Sequence, residues 1–264
     1  MKVSSTHEIL EEVRKGRLSV SRAERILKLD ALAIVDEIAR LDMNRHFRRE
    51  VPEIVYARGK TSSQLLSITS KLAQNLQRNR TGFPIILSKL TEDQARVLEL
   101  KFAKTPKLIF EYFQDANIAS LSIGRKKKIS SKGKVALLSA GTSDIKVLNE
   151  SEVLLRLLNC KTLRFNDVGI ASLKRLSEPL KQIHKFDPDA IIVAAGMEGA
   201  LPSLIAGLSS VPVIGLPTSV GYGYGGNGEA ALMSMLQACP LGICVVNIDG
   251  GIAAGIIAWL IAKR

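Results

Sequence analysis

Five short apolar runs, each followed by a segment of helical period, occupy the second half of the chain and restrict it to very few folds. The runs cover residues 135–139, 162–165, 190–194, 211–216 and 243–248. Helical periods lead up to residue 159 and cover 171–183, 198–208 and 228–237, and a closing helix opens at residue 252. Strands that read as unbroken apolar runs are buried on both faces, which requires helices above and below a parallel sheet. Right-handed crossovers then give a three-layer, flavodoxin-like, doubly wound α/β domain over residues 134–264.

The first half is less regular. Ser5 with Glu8 and Ser21 with Glu24 have the spacing of capping boxes, and a third helix is expected over 31–41. From Pro52 the pattern mixes strands at 53–56, 83–87 and 108–110 with helices over 61–76 and from Thr91, where Thr91 and Gln94 repeat the capping spacing. A smaller α/β domain over residues 1–125 follows, joined by a linker at 126–133.

Charge divides the chain in the same place. Residues 1–130 hold 25 Lys and Arg against 15 Asp and Glu, a net +10, whereas residues 131–264 hold 12 against 10, a net +2. A basic half suits a polyphosphate ligand or nucleic acid. Nucleic acid is disfavoured, because aromatic residues make up only 5% of the chain and none are interleaved with the basic ones as stacking platforms. The run Arg125-Lys126-Lys127-Lys128 reads as a solvated linker. No apolar leader follows Met1, and the longest apolar stretch, 250–262, is short for a bilayer, so a cytoplasmic protein with no membrane partner is expected. Three cysteines without paired spacing, and three scattered histidines, suggest neither a zinc site nor a disulfide framework.

In a doubly wound sheet the ligand sits where strands end and loops lead into helices. Those loops here are Ser139-Ala-Gly-Thr-Ser-Asp144, Asn166-Asp-Val-Gly169, Ala195-Gly-Met-Glu-Gly-Ala200, the twelve residues from Pro217 to Gly228 with five glycines, and Asn247-Ile-Asp-Gly-Gly251. Gly and Asp are common in any such turn. Five polar loops on one edge, one of them twelve residues long, exceed what mere connection requires. Gly141, Thr142 and Ser143 at a helix start suit a phosphate or carboxylate, although neither a Walker loop nor a GxGxxG after the first strand is present.

Cys239 lies in Gln237-Ala-Cys-Pro-Leu-Gly242, between the fourth helix and the fifth strand. A lone cysteine is most often an inert buried thiol, and this turn falls on the sheet edge opposite the polar loops. Using it at the loop-lined pocket would require a neighbouring subunit or an unusual fold-back. Cys244, inside the fifth strand, reads as core.

The ordered loops resemble a known family. Ala140-Gly-Thr-Ser-Asp144, Asp167-Val-Gly169, Ala195-Gly-Met-Glu-Gly-Ala-Leu-Pro202, Pro217-Thr-Ser-Val-Gly-Tyr-Gly223 and Val245-Val-Asn-Ile-Asp249 look like the LarB family of nickel-pincer nucleotide synthesis. They are more distantly similar to the PurE-like aminoimidazole ribonucleotide carboxylases. Pro52-Glu-Ile-Val-Tyr56 and Gly59-Lys-Thr61 extend the resemblance into the first half. It implies carboxylation of nicotinic acid adenine dinucleotide by CO2 or bicarbonate, with release of AMP and a pyridinium-3,5-biscarboxylic acid mononucleotide. It also implies Cys239 as the nucleophile, Asp144 and Glu198 as base or substrate-orienting carboxylates, and a closed homo-oligomer such as an octamer.

Substrate contacts are expected from Gly141, Thr142, Ser143, Asp167, Gly196, Met197, Thr218, Ser219, Gly221, Tyr222, Asn247 and Asp249, with Arg45, Arg48, Arg49 and Lys60 as further phosphate contacts. No tightly bound cofactor is expected. Mg2+ carried by substrate phosphates is the candidate metal, and its protein ligands are unknown. Lys174 stands where the family has a histidine, Gly250 and Ile252 depart from its closing motif, and Tyr224 and Asn227 sit among the loop glycines. These departures leave room for a related pyridinium or ribonucleotide ligand, and two alternatives stand beside the leading reading: an aminoimidazole ribonucleotide carboxylase or mutase, and a non-catalytic nucleotide- or RNA-binding protein using the basic first half.

Overall fold

The computed structural model describes residues 6–27, 32–35, 39–42, 51–79, 83–124 and 133–263, and separates the chain into two compact units, Met1–Lys127 and Lys128–Arg264. The expected Ser5 cap, Arg45, Arg48, Arg49 and the 125–128 basic run lie outside the described residues.

The first unit opens with α1 (Thr6–Arg14) and α2 (Val20–Leu27), which enclose a small core of Ile9, Leu18 and Ala23. The cap of α2 is Ser19, whose hydroxyl accepts from the Arg22 N–H at 3.3 Å, and not Ser21, which lies inside the helix. The helix expected over 31–41 is instead an antiparallel pair, β1 (Leu32–Val35) with β2 (Ala39–Asp42). The β-branched Ile34 and Val35 favour the extended pairing over the helical period that the sequence also fits.

A four-stranded sheet follows in the order β3-β4-β6-β5, made of β3 (Ile54–Tyr56), β4 (Ile85–Ser88), β5 (Leu108–Phe113) and β6 (Ile118–Ile123). Only β3 and β4 run parallel. The sequence reading has no counterpart for β6. Helices α3 (Ser62–Asn79) and α4 (Glu92–Phe102) cover one face, burying Leu65, Ile68, Leu72, Leu98 and Phe102 against Leu87 and Leu121. Both start with reciprocal caps: Thr61 and Gln64 exchange bonds of 2.9 and 3.2 Å, and Thr91 and Gln94 bonds of 3.0 and 3.2 Å. Each box satisfies two otherwise orphan donors.

The second unit is a parallel sheet in the order β11-β10-β9-β7-β8, the flavodoxin-like arrangement. Its strands are β7 (Lys134–Ser139), β8 (Lys161–Phe165), β9 (Ala190–Ala195), β10 (Val213–Pro217) and β11 (Ile243–Val245). All residues of β9 and β10 are buried. On one face, α6 (Lys174–Phe186), α7 (Ala200–Leu208) and α8 (Glu229–Leu236) bury Leu176, Ile183, Leu201, Ile205 and Met235 against Leu138, Ile191 and Val193. Each such large side chain contributes about 1.5–3 kcal/mol.

On the other face lie α5 (Ile145–Leu157) and α9 (Gly251–Ala262), packed on each other. Small residues make that contact possible. A side chain at Gly251 would sit 2.4 Å from the Val147 carbonyl, and one at Gly255 would sit 2.8 Å from Leu154 Cδ2. Ser151 Oγ donates to the Gly251 carbonyl at 2.7 Å in this seam. At the far end of α9, a side chain on Gly133 would collide with the Ala262 carbonyl at 2.2 Å, so the first and last elements of the unit touch.

The α5–α9 seam gives a graded prediction. At Gly251 the obstacle is backbone, whereas at Gly255 it is the end of a flexible leucine, so Gly251→Ala should cost more than Gly255→Ala. Overpacking of this kind costs about 1–3 kcal/mol. Urea unfolding followed through the fluorescence of Trp259, the chain's single tryptophan and a residue of α9, reads this unit directly. Equal midpoints for the two variants would contradict the assignment.

Candidate functional site

All five polar loops leave the carboxyl ends of β7 to β11, and one buried carboxylate fastens three of them. Asp144 follows β7 and is only 4% exposed. Its Oδ2 accepts from the Gly141 N–H at 2.8 Å, within its own loop, and its Oδ1 from the Thr218 hydroxyl at 2.5 Å, in the loop after β10. The Gly196 N–H, after β9, donates to the same carboxylate. Burial pushes the Asp144 carboxyl above its ordinary value of 3.8, the three hydrogen bonds oppose that rise, and the negative charge of Asp249 adds to it.

Close backbone packing explains the glycines around this carboxylate. A side chain on Gly196 would meet the Val220 carbonyl at 2.1 Å and Thr218 Oγ1 at 2.9 Å. One on Gly169 would meet the Ala140 carbonyl at 2.7 Å, where the Gly169 N–H itself donates at 2.8 Å. Met197 takes a left-handed φ of 46°, which costs roughly 1–2 kcal/mol for a residue with a Cβ. Its N–H is held by the Val220 carbonyl at 3.0 Å.

Around this floor the remaining residues face outward. Thr142 and Ser143 are exposed in a single 3-10 turn at the start of α5. Asp167 is also left-handed, with φ 56°, and its carboxylate pairs with Arg175 at 3.0 Å. Met197 and Glu198 are exposed after β9, as are Ser219, Gly221 and Tyr222 after β10. Asp249, after β11, accepts from the Ser219 N–H at 2.9 Å, tying the fourth loop to the fifth, and Asn247 is exposed beside it. The structure thus gathers Gly141, Asp144, Gly196, Met197, Thr218, Ser219 and Asp249 into one bonded network, with the other loop residues on its rim.

Two participants are not among the expected site residues. Ser139 Oγ, buried at the end of β7, accepts from the Asp167 N–H at 3.2 Å and sets the second loop against the first. Arg175 places a guanidinium beside Asp167 at the start of α6, a planar cation suited to phosphate or carboxylate. The Asp167-Val-Gly169 turn eight residues upstream is the only sequence signal for it.

Cys239 is exposed and stands apart from this network. The Val213 N–H, at the start of β10, donates to the Gly242 carbonyl at 2.9 Å, which puts the Cys239 loop at the amino ends of β10 and β11. A five-residue strand such as β10 separates that edge from the carboxyl edge by about 15 Å. Pro240 packs near Gly207 at the end of α7, and Leu208, Leu236 and Leu241 are exposed around it. Cys244 is exposed on the edge strand β11 and is not a core residue. An edge strand has one uncovered flank, which an apolar run does not reveal. Burial raises the thiol of Cys160, at the start of β8, to about 11.

Lys60 belongs to the first unit, after β3, where its ammonium donates to the Tyr56 carbonyl at 2.7 Å and its own carbonyl accepts from Gln94. Among the described residues no three His, Cys, Asp or Glu side chains come together as a metal site, and no helix is long and apolar enough to cross a membrane.

The Asp144 network predicts distinct behaviour for two substitutions. Asp144→Ala leaves three donors without their acceptor and should cost about 2–4 kcal/mol. Asp144→Asn keeps an acceptor and removes the charge. The folded carboxyl titrates above its unfolded value of 3.8, so its linkage contribution is complete below 3.8 and is lost as pH rises through the folded pKa. The stability of the native protein relative to Asp144→Asn should therefore fall with rising pH above 3.8. Urea titrations across a pH series test this, and a pH-independent difference would refute it.

Residues 134–264 match the family described as AIR carboxylase, and residues 34–123 match the LarB/PurE-like N-terminal domain. Over 257 residues the chain is 38% identical to an uncharacterized protein of Methanocaldococcus jannaschii, covering 97% of this chain and 96% of that one. It is 29% identical over 126 residues to the N5-carboxyaminoimidazole ribonucleotide mutase of the same organism, covering 47% of this chain and 75% of the mutase. A solved ABC transporter solute-binding protein from Bradyrhizobium sp. BTAi1 aligns over 55% of this chain and 59% of its own at 15% identity, with a TM-score of 0.27, too slight to bear on fold or function. The two domain matches, in this order on one chain, carry a carboxylase-related function, and the chain belongs to the LarB family, with a PurE-like C-terminal domain.

Proposed function

We infer that the protein carboxylates the pyridinium ring of nicotinic acid adenine dinucleotide with CO2 or bicarbonate and cleaves the phosphoanhydride, releasing AMP and pyridinium-3,5-biscarboxylic acid mononucleotide. The pairing of a LarB/PurE-like N-terminal domain with an AIR carboxylase domain that exposes Cys239 is the observation that carries this reading.

The chemistry asks for a thiolate. Carbon 5 of a pyridinium is electron-poor and does not attack CO2. Addition of the Cys239 thiolate to another ring carbon forms a C–S bond and turns the ring into an enamine, whose carbon 5 then bonds to CO2. A base takes the proton from that carbon, the electron pair restores the aromatic ring, and the thiolate leaves. Separately, water cleaves the phosphoanhydride. Glu198, exposed on the loop after β9, is the proposed base. Asp144, with its oxygens committed to three donors, serves as the positioning group for the loops. Arg175, Thr142 and Ser143 supply donors to phosphate or carboxylate. Mg2+ brought by the substrate phosphates would offset charge at the anhydride.

In this reading Cys239 serves the carboxyl edge of a neighbouring copy, since its own edge lies about 15 Å away. The exposed Leu208, Leu236 and Leu241 beside it suit such an assembly.

The mutase match supports a second reading, rearrangement or carboxylation of an aminoimidazole ribonucleotide, which makes no use of Cys239. One assay separates them. The native protein, incubated with nicotinic acid adenine dinucleotide and bicarbonate, should yield AMP and a product heavier by one carboxyl group in the mass spectrum, and Cys239→Ala should yield neither above background. Turnover of the aminoimidazole substrate alone would establish the second reading, and full activity of Cys239→Ala would eliminate the covalent route.

A further inference from the structure

The loop from Ser219 to Gly228 is anchored at both ends and carries two exposed tyrosines between them. At its near end the Ser219 N–H is bonded to Asp249 at 2.9 Å, and the Val220 carbonyl accepts from Met197. At its far end Gly228, with φ 84°, is wedged so closely that a side chain would meet the Thr218 carbonyl at 2.7 Å and Ile248 at 2.8 Å. Gly225 is equally confined, 2.2 Å from the Ala230 methyl by the same measure. Between these anchors the Gly223 carbonyl accepts from the Gly226 N–H at 3.2 Å, so Tyr224 stands on a tight turn. Gly223 has φ 81° and nothing within 4 Å of where a side chain would stand. On either side of it Tyr222 is 83% exposed and Tyr224 is wholly exposed.

Two exposed tyrosine rings flanking Gly223 leave apolar surface in water, on the β10 loop whose first residue, Thr218, is bonded to Asp144. The neighbouring loops are acidic, with Asp249 bonded to the base of this loop and Glu198 exposed on the one after β9. Aromatic faces on this loop and carboxylates on its two neighbours are both groups that attract a flat, positively charged ring. We propose that Tyr224, together with Tyr222, is a lid that closes over the cationic heteroaromatic ring of the ligand and selects for its charge. The proposal rests on the pyridinium reading above and names the residue that enforces it. Tyr224 is a positioning and specificity residue: it forms no bond to the ring, and closure replaces water above it.

Calorimetric titration of the full chain with three probes tests the lid independently of turnover. The probes are nicotinic acid mononucleotide, its 1,4-dihydro form with an uncharged ring, and AMP. Tyr224→Leu should weaken the pyridinium probe about tenfold, the dihydro form less than threefold, and AMP not at all. Tyr224→Phe keeps the ring and should stay within about twofold of native. Unchanged affinity of Tyr224→Leu for the pyridinium probe overturns the lid, as does an equal loss for AMP. Light scattering adds a further check: dissociation of an assembly by Tyr224→Leu with affinity intact would mean that a second copy covers the ring, which also overturns it. Tyr224-dependent binding without carboxylation of the dinucleotide leaves the lid standing and removes the proposed reaction. Carboxylation by the native protein together with Tyr224-independent binding of the pyridinium probe does the reverse.

Discussion

The buried carboxylate of Asp144 is the constraint on which the second unit's functional edge depends. Polar loops at the end of a sheet have no reason of their own to hold one arrangement, since water satisfies their backbone as well as protein does. Three donors from three loops converge on one side chain that is nearly sealed from solvent. A displaced loop would strand a buried donor or acceptor, at a cost several times thermal energy. The glycines at 169, 196 and 228 follow from the same requirement, because loops drawn onto a common point approach within backbone contact. Carboxylate burial is unfavourable in itself, and the raised pKa of Asp144 records that tension.

The sheet was legible in the sequence because parallel strands buried on both faces are unbroken apolar runs, a pattern few other structures generate. Its helices began where the apolar period resumed, within one or two residues except for α6, which starts at Lys174 and not at 171. The first unit was harder. Residues 31–41 satisfy a helical period and a pair of short strands alike, and the pairing of Leu32 with Asp42 that decides between them is not a local property. β6 escaped notice because its small residues, Ala119, Ser120 and Ser122, carry little strand preference, although Ser120 is buried.

The site was legible as a set of loops and illegible as a network. That Asp144 and Thr218 bond across 74 residues is a fact of packing, which spacing does not encode. Ser139 reads as the last residue of a strand and gives no hint that its hydroxyl holds the next loop. Cys244 shows the opposite failure: its apolar neighbours suggest a core, yet the strand lies at the border of the sheet. The position of Cys239 on the amino side was readable, because alternating strands and helices fix which end each turn occupies.

The contact between Gly133 and Ala262 has a topological meaning. The polypeptide enters and leaves the second unit at neighbouring points, so this unit is nearly a closed ring of chain. A short bridge joining those points, with a new opening cut in an exposed connection at the amino edge of the sheet, would preserve every strand pairing and the whole Asp144 network. The order in which its elements are synthesised is thus almost independent of the shape they reach. Such a unit can be carried beside another domain without remodelling its own interior, which is how a PurE-like fold can travel on a longer chain.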